Sequence, residues 1–233
     1  MATGDTRAVP AVRIANDLRT PRSAAVAGII FALILGAAIV LFRSAGPIRS
    51  GGDTSWLTDP ARRREVALSL NLIPFAGIAF LWFIGVIRSR LGDREDRLFA
   101  TVFLGSGLLF VGMLFTGAGL LSALLNLEAR SGAVSADTVG LVQNTTAILL
   151  GTFGARMAAV FTLSVTTAGL RTHILPRWLA VAGYAAAVAL FLSPPISNWA
   201  QLVFPCWVLV LSLFILASAG HPGSMERTSD ARE

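Results

Sequence analysis

The chain has 233 residues, of which 55% are hydrophobic and 14% are charged, and its formal net charge is +6. This composition excludes an ordinary soluble domain. All 19 basic residues are arginine, and most of them flank apolar runs, where they would meet anionic lipid headgroups. We therefore expect a protein that lies in a lipid bilayer and has no nucleic-acid partner.

Apolar runs of 16 or more residues follow one another along nearly the whole chain. Runs of this kind cross a hydrocarbon core of roughly 30 Å as helices. We predict an all-α, polytopic six-transmembrane-helix bundle with spans at 23–43, 66–87, 98–125, 142–170, 178–193 and 197–219. Residues 1–22 would form a cytoplasmic, arginine-rich segment and residues 220–233 a disordered cytoplasmic tail.

The first apolar run is interpreted as a membrane span and not as a cleavable signal. It holds 20 uncharged residues from Ser23 to Phe42, and Arg43 follows where a signal peptide would have small residues for cleavage. Signal-peptide cores are shorter, about 7–15 residues.

The arginines outside the spans are distributed unequally between the two sides of the membrane. With six spans, twelve lie on the side of the termini and six on the other: Arg43, Arg49, Arg62, Arg63, Arg64 and Arg130. The positive-inside rule then places both termini in the cytoplasm.

Two loops carry readable signals. In the 44–65 loop, Asp59 followed by Pro60 predicts a helix start, and Trp56 is interpreted as an anchor in the headgroup region. The 88–97 loop contains four arginines and three acidic residues. It is either a solvated turn or a contact for a cytoplasmic partner.

Small residues recur at helical spacing in three spans, which predicts close helix packing or a homo-oligomer interface. The three sets are Gly28, Ala32 and Gly36 in span 1, Gly105, Gly112, Thr116 and Gly119 in span 3, and Gly151, Ala155 and Ala159 in span 4. This pattern predicts packing and no chemistry.

Arg156 is the one charged residue inside an apolar run, and the six runs contain no Asp or Glu. A charge near the bilayer centre is costly and usually functional. Three roles remain open for Arg156: it contacts a ligand, it bonds backbone carbonyls and joins helices, or it snorkels toward the membrane surface.

Polar residues of spans 2, 4 and 6 all fall in the outer part of the membrane under this topology. We hypothesise that these three spans line an outward-facing cavity with Arg156 at its base and with Pro74 and Pro205 widening it. The candidate ligand-binding residues are Arg156, Thr152, Thr145, Asn144, Asn71 and Gln201. For the amides, interfacial hydration or interhelical bonding is the alternative.

The sequence contains no recognisable catalytic or metal-binding motif. The two histidines, His173 and His221, lack neighbouring ligands, and no nucleophile and base occur in a familiar motif. Cys206 is expected to pack as a small apolar residue. We expect no catalytic residue, no metal and no cofactor.

The run from Pro74 to Arg88, the Gly-Asp-Arg-Glu-Asp-Arg segment at 92–97 and residues 99–107 resemble small uncharacterised integral membrane proteins of high-GC bacteria. The resemblance covers about a third of the chain. It implies a six-span protein in a bacterial inner membrane, and it implies no activity.

Two functions are expected from these observations. The first is binding or transport of an anionic or amphipathic small molecule through the outward-facing cavity. The second is a non-catalytic subunit or assembly factor of a larger membrane complex, with the small-residue faces and the 88–97 loop as contacts for a membrane partner protein.

Overall fold

The protein is described from a computed structural model, which covers residues 10–47, 55–91, 97–132, 134–172, 175–192 and 199–218. These residues form helices and short connections, and no β-strand occurs among them. The predicted all-α class is confirmed. The described α-helices are α1 (Pro10–Ala45), α2 (Ser55–Thr58), α3 (Pro60–Leu91), α4 (Arg97–Ser131), α5 (Ala136–Ile148), α6 (Ala155–Arg171), α7 (Arg177–Leu192) and α8 (Val203–Ser218).

Five helical stretches of the described chain are long and apolar enough to cross a membrane. They are Ala25–Ala45, Pro60–Arg88, Thr101–Arg130, Ala136–Arg171 and Ala200–Ser218. The helix α7 is also apolar but has only 16 residues. Each predicted span therefore corresponds to a helix.

Several helices extend beyond the predicted spans. The helix α3 continues to Leu91, so residues 88–91 of the predicted 88–97 loop are helical. Arginine is a good helix former, and hydrogen bonding along the backbone continues where the apolar run has ended. Residues 92–96, the centre of that loop, lie outside the described residues.

A π-helix interrupts the helical stretch from residue 136 to residue 171. A six-residue π-helix, Leu149–Gly154, joins α5 to α6. A short 3-10 helix, Ala200–Leu202, precedes α8. π-Helices are rare and occur mostly as single insertions in α-helices, frequently at functional sites.

The long helices pack in a closed ring. The order around the ring is α1, α3, α4, the α5–π–α6 stretch, α7 and α8, which returns to α1. Helices that follow one another along the chain are neighbours because short connections join antiparallel elements. The inner faces of the helices meet around a common axis.

The start of α3 follows its sequence signal. Asp59 Oδ1 accepts a hydrogen bond from the Ala61 amide at 2.9 Å, and its second oxygen lies 3.5 Å from Arg62 Nε. Pro60 occupies the first helical position, where its missing N–H costs nothing. The predicted helix start is confirmed.

A cluster of phenylalanine side chains fills part of the space inside the ring of helices. The centroid of Phe80 lies 4.5–6.2 Å from those of Phe31, Phe83, Phe110, Phe161 and Phe204. These six residues are called the phenylalanine cluster. They join α1, α3, α4, α6 and α8, and within lipid their contribution comes from dispersion and from ring geometry.

A second cluster surrounds α2 near the ends of four longer helices. This Trp56 cluster consists of Ala45, Trp56, Leu57, Val66, Leu70, Leu121, Leu124 and Val139. Trp56 has no exposed surface. The predicted headgroup anchor is therefore wrong, because α2 folds back between α1, α3, α4 and α5 instead of facing the lipid headgroups.

The predicted small-residue faces are only partly packed within the chain. A Cβ atom added at Gly28 would meet Ser212 Oγ and the Phe83 ring, whereas at Gly36 it would meet no atom within 4 Å. Open space also surrounds Gly105, Gly112 and Gly119 of α4. The closely packed glycines of α4 are Gly107, which faces Ile84 and Phe161, and Gly117, which faces Leu150, so the spacing of small residues alone did not identify the packed side.

The contrast within α1 gives a direct test. We expect Gly28→Ala to lower the free energy of unfolding by about 1–3 kcal/mol, because the methyl group overpacks the contact with Ser212 and Phe83. The matched variant Gly36→Ala has free space and should be neutral or slightly stabilising. Unfolding in lipid nanodiscs measures both, and equal effects would contradict the packing of α1 against α3 and α8.

Other predictions have mixed outcomes. Cys206 is exposed on the outer surface of α8, so the prediction that it packs within the protein is wrong. Its neighbours Pro205 and Trp207 take the buried positions. His173, His221 and the predicted tail lie outside the described residues, as do residues 1–9 of the N-terminal segment, whereas residues 10–22 belong to α1.

Candidate ligand cavity

A cavity of ≈ 90 Å³ lies inside the ring of helices. Residues from α1, α3, α4, α5, the π-helix, α6, α7, the 3-10 helix and α8 line its wall. Every long helix of the ring thus contributes to one internal space. In proteins that bind small molecules, binding sites between the helices of a bundle are common.

The wall is apolar apart from three residues. Leu35, Ile73 and Leu114 are typical of the lining, whereas Arg43, Ser69 and Gln201 are its polar members. Arg43 is the one charged residue among the described residues of the wall. Since no carboxylate occurs among them, the electrostatic field in the cavity favours an anion.

Local structure positions each of the three polar residues. Arg43 is partly buried in the last turn of α1, where the negative end of the helix dipole stabilises a cation. Ser69 Oγ donates to the Val66 carbonyl at 2.7 Å, so its hydroxyl can still accept a hydrogen bond. The Gln201 amide has no hydrogen bond to the described part of the chain and retains both donors and acceptors.

The two clusters bound the cavity along the ring axis. Phe110 and Phe204 belong to the phenylalanine cluster and also line the cavity, so this cluster closes one end. Leu70 and Leu121 line the cavity and pack in the Trp56 cluster. Residues that pack around α2 therefore form part of the wall at the opposite end.

Of the six candidate binding residues, Gln201 is the one that lines this cavity. Asn71, Asn144 and Thr145 are exposed on the outer surface of the ring. Asn71 Nδ2 donates to the Ala67 carbonyl of its own helix at 2.9 Å. These three side chains fit the alternative of interfacial hydration better than ligand contact.

Arg156 and Thr152 lie beside the cavity wall but not on it. Gly154, Ala155 and Ala158 of the same stretch line the cavity, and Arg156 is turned to another side of the helix. Its Nη1 atom donates to the Thr152 carbonyl at 2.8 Å. The structure therefore brings neither Arg156 nor Thr152 to the residues that line the space.

The prolines also lie outside the lining. Pro74 is exposed, and Pro205 lies in the first turn of α8, where proline displaces no helical hydrogen bond. Their neighbours Ile73 and Phe204 line the cavity instead. The cavity is formed by how six helices surround it, and not by the expected widening at two prolines.

Arg43 and Ser69 were not among the residues expected at the site. Arg43 ended the first apolar run and was therefore counted with the arginines that flank spans. A signal was present, because Leu35, Ala38, Ile39 and Phe42 line the cavity at helical spacing, and Arg43 is one turn beyond Ile39. Nothing in the alanine-rich sequence distinguished this stripe from the lipid-facing one.

The arrangement suits noncovalent binding of a molecule with an apolar part and an anionic or polar group. Among the described residues, no group of three or more His, Cys, Asp and Glu side chains comes together. Comparison with known proteins yields no match, either to a protein-family model, to a curated protein or to a solved structure.

Proposed function

We propose that the protein binds or transports an anionic or amphipathic small molecule in the central cavity, with Arg43 as the group that contacts the anion. The observation that carries the proposal is the lining, in which one arginine, a serine and a glutamine interrupt an otherwise apolar wall. Arg43 takes the role that the sequence suggested for Arg156. A guanidinium offers five N–H donors and stays charged, which suits a carboxylate or a phosphate.

The apolar part of the wall selects the rest of the ligand. Water needs two to four polar partners at each position, and an apolar wall does not provide them. An alkyl chain or a small ring fits such a wall and replaces water at low cost.

The proposal includes a six-span topology in a bacterial plasma membrane, with both termini in the cytoplasm. In support, α7 packs along α6, and Leu190 near the end of α7 lines the cavity. A helix of 16 residues is about 24 Å long, roughly 6 Å less than the hydrocarbon core, a mismatch that local thinning of the bilayer accommodates. The arginine distribution then makes the Arg43 end of the cavity the outward one.

A thermal-unfolding assay in nanodiscs tests the proposal with two probes of equal chain length, decanoate and decanol. We expect decanoate to stabilise the wild-type protein in a concentration-dependent manner, by about 2.7 kcal/mol at a hundredfold excess over Kd. Decanol should stabilise it less, because Arg43 gains no anionic partner. In Arg43→Gln, the preference for decanoate should disappear.

Two further variants complete this test. Arg64→Gln removes an exposed arginine outside the cavity wall and should keep the preference for decanoate. Ala118→Leu puts a larger side chain into the cavity wall and should abolish stabilisation by both probes. The proposal fails if decanoate stabilises Arg43→Gln and Ala118→Leu as well as it stabilises the wild type.

A further inference from the structure

Arg156 lies on the outer face of the helix ring, at the first turn of α6 directly after the π-helix. Phe153 and Leu163 share this face and are 51% and 40% exposed. Ala155 and Ala158 are turned the other way, into the cavity wall. Arg156 is thus partly exposed on a surface that otherwise suits lipid tails.

Its position along the span places Arg156 deep in the membrane. The helical stretch from Asp137 to Arg171 is longer than the hydrocarbon core is thick, and Arg156 lies two residues from its midpoint, about 3 Å along a helix and slightly nearer to Arg171 than to Asp137. The side chain points toward the more distant of these ends, since Nη1 bonds the Thr152 carbonyl one turn back. Lipid phosphates lie beyond the reach of a side chain in this position, so snorkelling does not satisfy the guanidinium.

The hydrogen bonding of Arg156 is incomplete. The guanidinium has five N–H groups, and within the described part of the chain it makes one hydrogen bond, to Thr152. No aspartate or glutamate occurs in any of the six apolar runs. A second copy of this chain therefore has no carboxylate at the same depth to offer.

We propose that this outer face is a docking surface for a transmembrane helix of a different protein, one that carries an aspartate or glutamate near the bilayer centre. Arginine and carboxylate form paired, charge-assisted hydrogen bonds, which strengthen in a medium that excludes water. The complementary charge thus specifies both the partner and its register along α6. The rare π-helix beside Arg156 presents Thr152 and Arg156 together at this point.

Binding of synthetic transmembrane peptides to the full-length protein in nanodiscs tests this proposal by energy transfer between fluorophores. The probe is a leucine–alanine helix with one central glutamate, and its controls carry leucine or glutamine at that position or glutamate near one end. We expect the central-glutamate peptide to bind at least tenfold more tightly than the leucine peptide. Arg156→Gln should remove this difference, whereas Arg130→Gln, at the end of α4, should keep it.

A charge swap completes the test. Arg156→Glu should prefer a peptide with a central lysine over the peptide with a central glutamate. Equal binding of glutamate and leucine peptides to the wild type would overturn the proposal, as would an unchanged preference in Arg156→Gln. Loss of the preference when phosphatidylglycerol is added would also overturn it, because an anionic lipid would then be the occupant. The decanoate assay is read independently, so failure here leaves the cavity proposal standing.

Discussion

Replacing Trp56 by alanine lowers the free energy of unfolding by about 3–5 kcal/mol, the range for a large aromatic side chain removed from a packed core. Trp56 is fully buried among the ends of α1, α3, α4 and α5. The helix α2 follows the end of the first span, where water reaches the unfolded segment, so the hydrophobic part of the cost applies in addition to the cavity. Chemical unfolding of the purified protein in nanodiscs measures the change.

Two companion variants show whether burial is the cause. Trp82→Ala removes an indole that is 71% exposed, and we expect a change below about 1 kcal/mol. Trp56→Phe should be much milder than Trp56→Ala. It keeps most of the apolar volume and removes a buried indole N–H that has no hydrogen-bond partner among the described residues. Similar losses for Trp56→Ala and Trp82→Ala would show that α2 does not pack as described.

Phe80→Ala is expected to have the second-largest effect, a loss of roughly 2–3 kcal/mol. Phe80 contacts five other phenylalanine rings and has no exposed surface. In the membrane, an unfolded helix keeps its side chains in lipid, so the transfer part of the usual cost is small. The loss of ring contacts and the cavity left behind account for what remains.

The same helix provides a control for this prediction. Phe75 lies five residues before Phe80 and is 62% exposed. Phe75→Ala should leave the free energy of unfolding nearly unchanged, because lipid tails replace the contacts of the ring. If Phe75→Ala and Phe80→Ala are equally destabilising, the phenylalanine cluster is not the centre of the bundle.

The order and approximate positions of the helices could be predicted from the sequence. Long apolar runs require helices in lipid, because every backbone N–H and C=O group must find its partner within the segment. Asp59 and Pro60 marked the start of α3, and each predicted span has its helix. The helix ends were less well predicted, as α3 shows by continuing beyond Arg88.

The direction in which each side chain points could not be predicted from the sequence. In a soluble helix, the apolar stripe identifies the inner face, but in lipid the inner and outer faces are both apolar and this signal disappears. Gly36 and Gly112 have the spacing of packed residues, yet no side chain approaches them. Trp56 has the composition of a headgroup anchor, and only its neighbours in space show that it is buried.

Arg43 and Arg156 show the same difference between what the sequence determines and what the tertiary structure decides. By itself, the sequence determined that the protein is a helical membrane protein and that Arg156 is an isolated charge far from both ends of its span. Only the tertiary structure decided that Arg43 lines the central cavity while Arg156 faces outward. The physical reason is that a cavity forms where several helices fail to fill the space between them. Its lining therefore depends on how all six helices are rotated about their axes, which no single apolar segment encodes.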